Sequence, residues 1–274
     1  ILFDEAIIYN SSHLFGLFSV FNSDAIKEVK LYKGGIPSSY GGRVSSVLDV
    51  YQKDGNNQKF EANGGIGSIS SRFLIEGPIQ KNKSSFLFAS RGSYAHLFLK
   101  LTDIENIAYF YDLNTKSNFV LDDKNKIYVS GYFGRDVFKL QDTFSNTYGN
   151  NTLNLRWNNL INEKTFSNTS LIYSNYYYGL ELDFGGFDWE SSIKNLNLKF
   201  DIKNYFSSKF QFNYGINLLY FDLTLSLFGI FNSHFFHILV SISSSSMGSS
   251  SWGSTNSNNN FIRAWSILNI EFMC

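Results

Sequence analysis

The chain has 274 residues, a formal net charge of +0 and one cysteine, and 18% of its residues are Phe, Trp or Tyr. The zero net charge gives no basic surplus for nucleic-acid binding, so no nucleic-acid partner is predicted. A single cysteine cannot form an internal disulfide, and the longest apolar run, Phe235–Ile242, is too short to be a membrane-spanning helix.

Residues 24–50 are the most informative segment, and they predict two short strands joined by a glycine-rich hinge. Val29 and Leu31 alternate with polar neighbours, and a second strand is predicted to begin at Val44. Glycines in the hinge allow turns with positive φ. The hinge residues that we single out are Gly34, Gly35, Tyr40, Gly41, Gly42 and Arg43. Such turns also occur in many small β-domains, so they do not identify a fold by themselves.

From Phe60 onward, apolar and polar residues alternate as antiparallel strands with two unlike faces require. The clearest pair is a predicted hairpin that turns at Tyr205–Ser208. On its first strand, the apolar face carries Leu196, Leu198, Phe200 and Ile202. On its second strand, the apolar face carries Phe210, Phe212, Tyr214, Ile216, Leu218 and Tyr220. We count about nine strands before Leu225.

Connections between the predicted strands alternate in length. Short ones are predicted at residues 79–84, 122–126, 161–164 and 206–209. Long ones are predicted at residues 100–107, 140–151 and 183–192. This alternation is typical of a transmembrane barrel with tight periplasmic turns and long outer loops, whereas a soluble sandwich has no reason to keep it. The strands predicted at 126–140 and 165–183 also exceed the length of about five or six residues that is usual in soluble proteins.

Aromatic residues provide candidates for the girdles at which a barrel meets the two surfaces of a membrane. Tyr and Trp suit such girdles because the ring contacts lipid while its polar edge contacts water. The candidates are Trp157, Tyr173, Tyr176, Tyr177 and Tyr178. Any one of them, taken alone, is equally consistent with the core of a soluble β-sandwich, so the interpretation depends on the whole pattern.

We predict three parts of the chain, which are residues 1–55, 56–225 and 226–274. After residue 225 the alternation fades, and Ser241–Asn260 is rich in Ser, Asn and Gly. Such a tract cannot bury enough apolar surface to order itself, so we predict a low-complexity tail, aberrant or disordered. The chain also starts without a methionine or a basic leader segment, and we therefore expect a fragment of a longer protein.

Residues 1–225 resemble the C-terminal part of the plug domain and the first barrel strands of TonB-dependent outer-membrane receptors. The resemblance is strongest at Phe3–Ser23, Asp24–Gly55 and Gly64–Pro78. It implies an all-β fold, in which the end of a small plug domain precedes a partial transmembrane antiparallel β-barrel. Barrels of this family need about 22 strands to surround the plug, and the chain supplies fewer than half of them.

The same resemblance implies energised import across the outer membrane of a Gram-negative bacterium. In such receptors the plug blocks a wide barrel, and the substrate binds between the plug and the outer loops. The expected partners are outer-membrane lipid, a TonB-type energy-transducing complex, a substrate-binding lipoprotein and a bulky nutrient, which is an iron-siderophore, cobalamin, a glycan or a peptide. The complex pulls on an N-terminal TonB box, which is absent from these residues.

Two sets of residues receive expected roles from the resemblance. Arg43 resembles the plug arginine that pairs with barrel carboxylates, and a bidentate guanidinium suits a latch that holds and then releases. A solvated turn arginine is the alternative. Aromatic residues predicted in outer loops could stack on a sugar ring or an aromatic siderophore, and these are Tyr148, Phe184, Phe187 and Trp189.

The sequence contains none of the common catalytic motifs, such as Gly-x-Ser-x-Gly or His-Glu-x-x-His. We therefore predict no enzyme, no cofactor and no metal site. Two other functions stay open. A structural or adhesive outer-membrane barrel would share the strand pattern without the plug. A soluble carbohydrate-binding β-sandwich would share the aromatic content, but its apolar face has to be buried against a second sheet.

Overall fold

The computed structural model describes residues 1–37, 39–41, 45–94, 96–99, 106–141, 143–183, 187–207, 210–227, 231–248 and 263–273. These residues form an N-terminal unit of short strands and one large antiparallel sheet. The strands of the N-terminal unit are β1 (Leu2–Phe3), β2 (Ala6–Ile7), β3 (Ser12–His13), β4 (Phe18–Ser19), β5 (Ile26–Tyr32) and β6 (Val47–Gln52). A 3-10 turn, Leu14–Gly16, lies between β3 and β4.

The N-terminal unit begins with a tight hairpin. Asp4 and Glu5 connect β1 to β2 with φ values of 45° and 73°, which is the left-handed backbone that a two-residue hairpin turn favours. β1 then pairs in parallel with β6, and the four-stranded order is β2-β1-β6-β5. Phe3 and Val50 belong to the core of this unit, together with Tyr132 from the large sheet. A side chain of the large sheet therefore completes the small core.

Eleven strands form the large sheet, and each pairs with the next in antiparallel fashion. They are β7 (Glu61–Ile66), β8 (Ser70–Gln80), β9 (Ser84–Ser93), β10 (Ile107–Val120), β11 (Asn125–Leu140), β12 (Phe144–Asn162), β13 (Thr165–Leu182), β14 (Phe187–Ser207), β15 (Phe210–Leu227), β16 (Phe231–Gly248) and β17 (Arg263–Met273). A short helix, α1 (His96–Leu99), lies between β9 and β10. Within the described residues, no helix is long and apolar enough to cross a lipid bilayer.

The large sheet exposes apolar side chains on one face and buries polar side chains on the other. Leu171, Leu198 and Leu218 are cross-strand neighbours on β13, β14 and β15, and each is at least 40% exposed. On the opposite face of β14, Asn195 and Asn197 are buried. A soluble sandwich buries its apolar face, so this arrangement does not fit the sandwich alternative. It matches a barrel wall with an apolar outside and a polar inside, as the sequence predicts for these strands.

The connections of the large sheet agree only in part with the predicted alternation of short and long loops. The four short connections are present, and the connection near 100–107 is long. The prediction of long loops at 140–151 and 183–192 is wrong, because only three residues separate β11 from β12 and only four separate β13 from β14. Residues 144–152 have the Asn, Thr and Gly content of a loop, but they are strand residues, and Asn150 Oδ1 accepts a hydrogen bond from the backbone of Tyr9 in the N-terminal unit.

The large sheet continues beyond residue 225, where the sequence predicts a low-complexity tail. The nine strands β7–β15 match the predicted number, and β16 and β17 are additional. Ser241–Gly248 pairs with β15. Backbone hydrogen bonds depend little on side-chain type, so the edge of β15 pairs even with a serine-rich segment. Residues 249–262 lie outside the described residues, and the domain boundaries near residues 55 and 225 stay predictions.

The chain passes from the N-terminal unit to the large sheet at Gly55, in a space that only glycine fits. Gly55 has a φ of +82°, and a Cβ atom there would lie 2.4 Å from the carbonyl oxygen of Phe86. The adjacent carbonyl of Asp54 accepts hydrogen bonds from Ser85 and Asn118. These contacts fix the position of the backbone at the junction.

We expect Gly55→Ala to lower the free energy of unfolding by about 1–3 kcal/mol, because alanine disfavours positive φ and its methyl group meets fixed backbone. Urea unfolding of the purified protein in detergent micelles, followed by tryptophan fluorescence, measures the change. Gly34→Ala is the matched control, since a Cβ atom there would have, among the described residues and beyond its chain neighbours, no atom within 4 Å. Equal stability of the two variants would contradict the expected constraint at Gly55.

Candidate functional site

His13 of the N-terminal unit lies in a buried cluster with charged side chains of the large sheet. Its Nδ1 lies 2.6 Å from Asp136 Oδ2, and its Nε2 lies 3.4 Å from Asp112 Oδ2. Arg91 donates from Nε and Nη2 to the same Asp112 oxygen at 2.8 and 2.5 Å. The Tyr132 hydroxyl lies 3.3 Å from His13 Nε2. We call these five residues the His13 cluster.

The His13 cluster also binds the backbone of the N-terminal unit. Arg91 Nη2 donates to the carbonyl oxygen of Ser19 at 2.8 Å. Asp136 Oδ1 accepts a hydrogen bond from the backbone N–H of Leu14 at 2.8 Å. Two charged side chains of the large sheet therefore hold both the 3-10 turn and the strand that follows it.

Further ion pairs join the first hairpin of the N-terminal unit to the large sheet. Arg156 Nη1 lies 3.2 Å from Glu5 Oε1. Burial acts to raise the pKa of Glu5, but the charges of Lys199 and Arg156 overcome it and hold this pKa below its usual value. Lys116 is buried, and its Nζ lies 3.4 Å from Asp4 Oδ2. Charges from both units are thus paired at the interface, as burial requires.

Aromatic side chains of both units meet beside the 3-10 turn. The ring of Phe15 lies 5.1 Å from that of Phe138 and 6.3 Å from that of Tyr148, measured between centroids. Tyr148 and Tyr178 are cross-strand partners on β12 and β13, and the Tyr178 ring lies 5.9 Å from Trp189 on β14. Phe15 is 63% exposed. We call these five residues the aromatic surface.

Comparisons with known proteins support a fold assignment. No protein-family model and no curated protein sequence matches the chain. The solved structure of the copper transporter OprC matches with a TM-score of 0.61 and 7% identity, over 93% of this chain and 48% of that chain. The ferric-catecholate import receptor Fiu from E. coli K12, in its open form, matches with a TM-score of 0.58 and 12% identity, over 89% of this chain and 56% of that chain.

The chain has the fold of TonB-dependent receptors. It spans about half the length of the two solved structures. The predicted fold class, a partial antiparallel barrel preceded by a small plug, is therefore confirmed. We call the N-terminal unit the plug and the large sheet the barrel wall.

The predicted hinge residues of the plug are only partly within the described residues. Gly34 and Gly35 are exposed, and Gly35 has a φ of +58°, the left-handed backbone expected of a glycine turn. Gly41 is half-buried. Gly42 and Arg43 lie outside the described residues, so the latch role of Arg43 stays a prediction.

Tyr40, the remaining hinge residue, contacts the plug's own sheet. Its hydroxyl donates to Asp49 Oδ2 at 2.6 Å, and the Tyr51 hydroxyl donates to the same oxygen at 2.5 Å. Burial raises the pKa of the Asp49 carboxyl above its usual value, although both hydroxyls act to lower it. Tyr40 thus anchors the hinge to β6.

The predicted substrate aromatics lie in strands rather than in outer loops, which corrects their predicted placement. Tyr148 lies on β12 and is 4% exposed, and its hydroxyl accepts a hydrogen bond from the backbone N–H of Phe15 at 3.2 Å. Phe187 and Trp189 lie at the start of β14, and Phe184 lies outside the described residues. Tyr148 and Trp189 still belong to the aromatic surface. Their role in binding a substrate stays a prediction.

The structure divides the girdle candidates between the two faces of the barrel wall. Trp157 and Tyr173 are exposed on the apolar face, where a girdle requires them. Tyr176 packs against the plug, and Tyr178 shares its face because side chains alternate along β13. Tyr177, between these two, points to the apolar face. Tyr176 and Tyr178 therefore line the interior and are not girdle residues.

Sequence reasoning misses the His13 cluster because its members are far apart in the chain. His13 and Asp136 are separated by 123 positions. The sequence contains one signal of this cluster. Asp112 and Asp136 lie on the polar face of their strands, and a buried charge on that face needs a partner from the interior. Across the part of the chain that the structure describes, no group of three or more His, Cys, Asp or Glu side chains is arranged to hold a metal ion.

Proposed function

We propose that the protein imports a bulky nutrient across the outer membrane of a Gram-negative bacterium, with energy supplied from the inner membrane. The observation that carries this proposal is the plug, which packs against the polar face of a barrel wall whose apolar face is exposed. In an outer-membrane barrel the apolar face contacts lipid and the polar face lines the interior. A plug in that interior supports a gated receptor over a structural or adhesive barrel.

Outer-membrane lipid is the first proposed partner. Leu155, Leu171, Leu198 and Leu218 form one cross-strand row over β12–β15, and all four are exposed. Trp157, two residues from this row, donates its Nε1–H to a side-chain oxygen at 3.0 Å. An apolar band with a hydrogen-bonded tryptophan beside it supports a boundary between lipid and water.

The aromatic surface is the proposed ligand site. Phe15 presents an exposed ring on the plug, and Trp189 presents a partly exposed ring on the barrel wall. The similar solved structures are a copper transporter and a ferric-catecholate import receptor, so this fold serves different cargoes. Ring faces favour a ligand with planar or sugar rings, which fits an iron-siderophore, cobalamin, a glycan or a peptide with aromatic side chains.

A TonB-type energy-transducing complex is the proposed energy source, and a substrate-binding lipoprotein is a further proposed partner. Energised import needs a plug that can move relative to the barrel. The many hydrogen bonds between plug and barrel wall support such movement, because each contributes little net free energy once water can replace it. The proposed role is transport and includes no enzymatic step.

Uptake measurements test the proposed function. Cells that produce the protein receive a labelled ferric-catecholate complex, cobalamin, an oligosaccharide or a peptide, with or without an uncoupler of the proton gradient. We expect accumulation of one ligand class in energised cells only, above the level of cells that lack the protein. Accumulation that survives the uncoupler, or accumulation of none of the four classes, would contradict energised import.

We expect Phe15→Ala to weaken binding of the imported ligand by about 1–2 kcal/mol, a factor of about 5–30, because a stacking ring is lost. Isothermal titration calorimetry with the ligand identified by uptake measures the change. Phe60→Ala is the matched control, because Phe60 is 61% exposed but lies outside the aromatic surface. Equal binding by both variants would exclude Phe15 from the ligand site.

A further inference from the structure

One carboxylate of the barrel wall holds both His13 and the turn that follows it. Asp136 Oδ2 lies 2.6 Å from His13 Nδ1, and Asp136 Oδ1 accepts from the Leu14 backbone at 2.8 Å. Leu14 and Phe15 have φ values of 48° and 58°. Non-glycine residues rarely adopt this left-handed backbone, so the surrounding contacts have to maintain it. The exposed ring of Phe15 therefore depends on a turn that the barrel wall holds in place.

Charged and titratable groups surround His13 on several strands. Asp112 on β10 lies 3.4 Å from Nε2, and Asp136 on β11 contacts Nδ1. Tyr132, also on β11, reaches Nε2 with its hydroxyl at 3.3 Å, and Arg91 on β9 binds Asp112. The positive charges of protonated His13 and of Arg91 together balance the negative charges of the two aspartates. When His13 loses its proton, one negative charge stays unbalanced in a site from which water is almost excluded.

The remaining neighbours of His13 complete a closed site. Phe110 on β10 stacks its ring on the imidazole, with centroids 4.4 Å apart and planes inclined by 12°. The hydroxyl oxygen of Tyr148 on β12 accepts a hydrogen bond from the backbone N–H of Phe15. His13 is 1% exposed. Solvent therefore cannot compensate for a change in its charge.

We propose that protonated His13 is a positioning residue, which clamps the Leu14–Gly16 turn against Asp136 so that loss of its proton loosens the turn and weakens the ligand contact made by Phe15. The neutral imidazole can still donate from Nδ1 to Asp136, so the clamp loosens rather than disappears. The link to the ligand rests on the proposed receptor function. The clamp itself does not rest on that function, because hydrogen exchange of the backbone at the turn measures the clamp without any ligand.

The direction of the pH dependence follows from the surroundings of His13. Burial acts to lower its pKa, but the hydrogen bonds and charges of Asp112 and Asp136 overcome burial and raise the pKa above the ordinary value of 6.5. A group with a raised pKa in the folded state stabilises that state fully below its ordinary pKa. The stabilisation is lost as the pH rises through the raised value. The clamp is therefore closed in mild acid and loosened in alkaline solution.

Hydrogen–deuterium exchange of the turn tests this proposal. The protein is measured in outer-membrane vesicles at about pH 5.5 and about pH 9.5, below the ordinary histidine pKa and well above it, so that the range extends through a raised value. Rates of the peptide that contains Leu14–Leu17 are corrected with an unstructured peptide of the same sequence. We expect protection of the turn to fall by about fivefold or more at the higher pH, which is the lower end of typical coupling between sites.

Three variants separate the clamp from a merely structural role. His13→Asn keeps a donor for Asp136 but has no charge, so the turn in this variant should have low protection at both pH values. Asp112→Asn removes the negative charge that neutral His13 leaves unbalanced, so the turn in this variant should have high protection at both pH values. His96→Asn, which lies on α1, should retain the pH dependence of the unchanged protein.

The outcome does not depend on any single variant being able to fold. If His13→Asn does not reach the membrane, the comparison of Asp112→Asn with the unchanged protein decides whether the proposal holds. Equal protection of the unchanged protein at both pH values would overturn the proposal. So would an unaltered pH dependence in Asp112→Asn.

Discussion

Replacing Arg91 with methionine is expected to lower the free energy of unfolding by about 3–5 kcal/mol, because it leaves a buried carboxylate without its main partner. Asp112 has a fully buried side chain, and Arg91 donates two hydrogen bonds to one of its oxygens. The substitution also removes the hydrogen bond from Arg91 to the plug carbonyl of Ser19. Methionine is long and flexible enough to occupy most of the space, so the loss reports on charge and hydrogen bonding.

Arg72→Met is the matched control for Arg91→Met. Arg72 is the cross-strand partner of Arg91, but its ion pair with Asp24 is largely exposed and should contribute about 0–1 kcal/mol. The double variant Arg91→Met/Asp112→Leu should recover much of the lost stability, because neither buried charge is then present. Urea unfolding in detergent micelles compares the three proteins. Similar losses at Arg72 and Arg91 would show that burial does not determine the strength of these ion pairs.

Leu198→Lys is expected to lower stability in a lipid bilayer by about 2–4 kcal/mol, which is the cost of a lysine on the lipid face near the middle of the membrane. Leu198 is 45% exposed and has Leu171 and Leu218 beside it on the neighbouring strands. These two cross-strand neighbours are apolar, so the ammonium group would have to reach the membrane surface. Folding into phospholipid vesicles over a range of urea concentrations measures the effect.

Ser192→Lys is the matched control for Leu198→Lys, because it places the same charge on the same face of the same strand. Ser192 lies near the beginning of β14, and Lys194 already lies between it and Leu198. A lysine near the membrane surface should cost about 0–1 kcal/mol. If Leu198→Lys is neutral while Asn197→Leu disrupts the protein, the assignment of lipid and interior faces is reversed.

The plug contacts the barrel wall largely through polar groups, which suits a part that has to move. The Tyr9 backbone donates to Asn150 at 3.1 Å, Asn195 donates to the Tyr9 hydroxyl at 3.0 Å, and Ser174 donates to the Ile7 carbonyl at 2.6 Å. Each such bond contributes about 0.5–1.5 kcal/mol net, because water can replace the lost partner. The buried ion pair of Arg91 and the ion pairs beside it should therefore resist movement of the plug more than the other contacts do.

The sequence by itself determined where most strands lie and, on the most regular of them, which face each residue occupies. A period of two places Leu198 and Asn197 on opposite faces whichever strand lies beside them. Polar turn residues such as Asp122 and Asn125 predict hairpins in the same direct way, and Asp122 accepts the hydrogen bonds that close its turn. These features are local in the chain, so a pattern over a few residues is enough to find them.

Only the tertiary structure decided which polar segments are strands and which distant residues meet. Residues 144–152 have the composition of a loop, but Asn146 and Asn150 gain partners from a neighbouring strand and from the plug. His13 reaches Asp136 across 123 positions because the plug docks on the barrel wall in one register. Register and docking depend on the burial and hydrogen bonding of the whole sheet, and a shift of one residue would reverse every face. No short stretch of sequence contains that information.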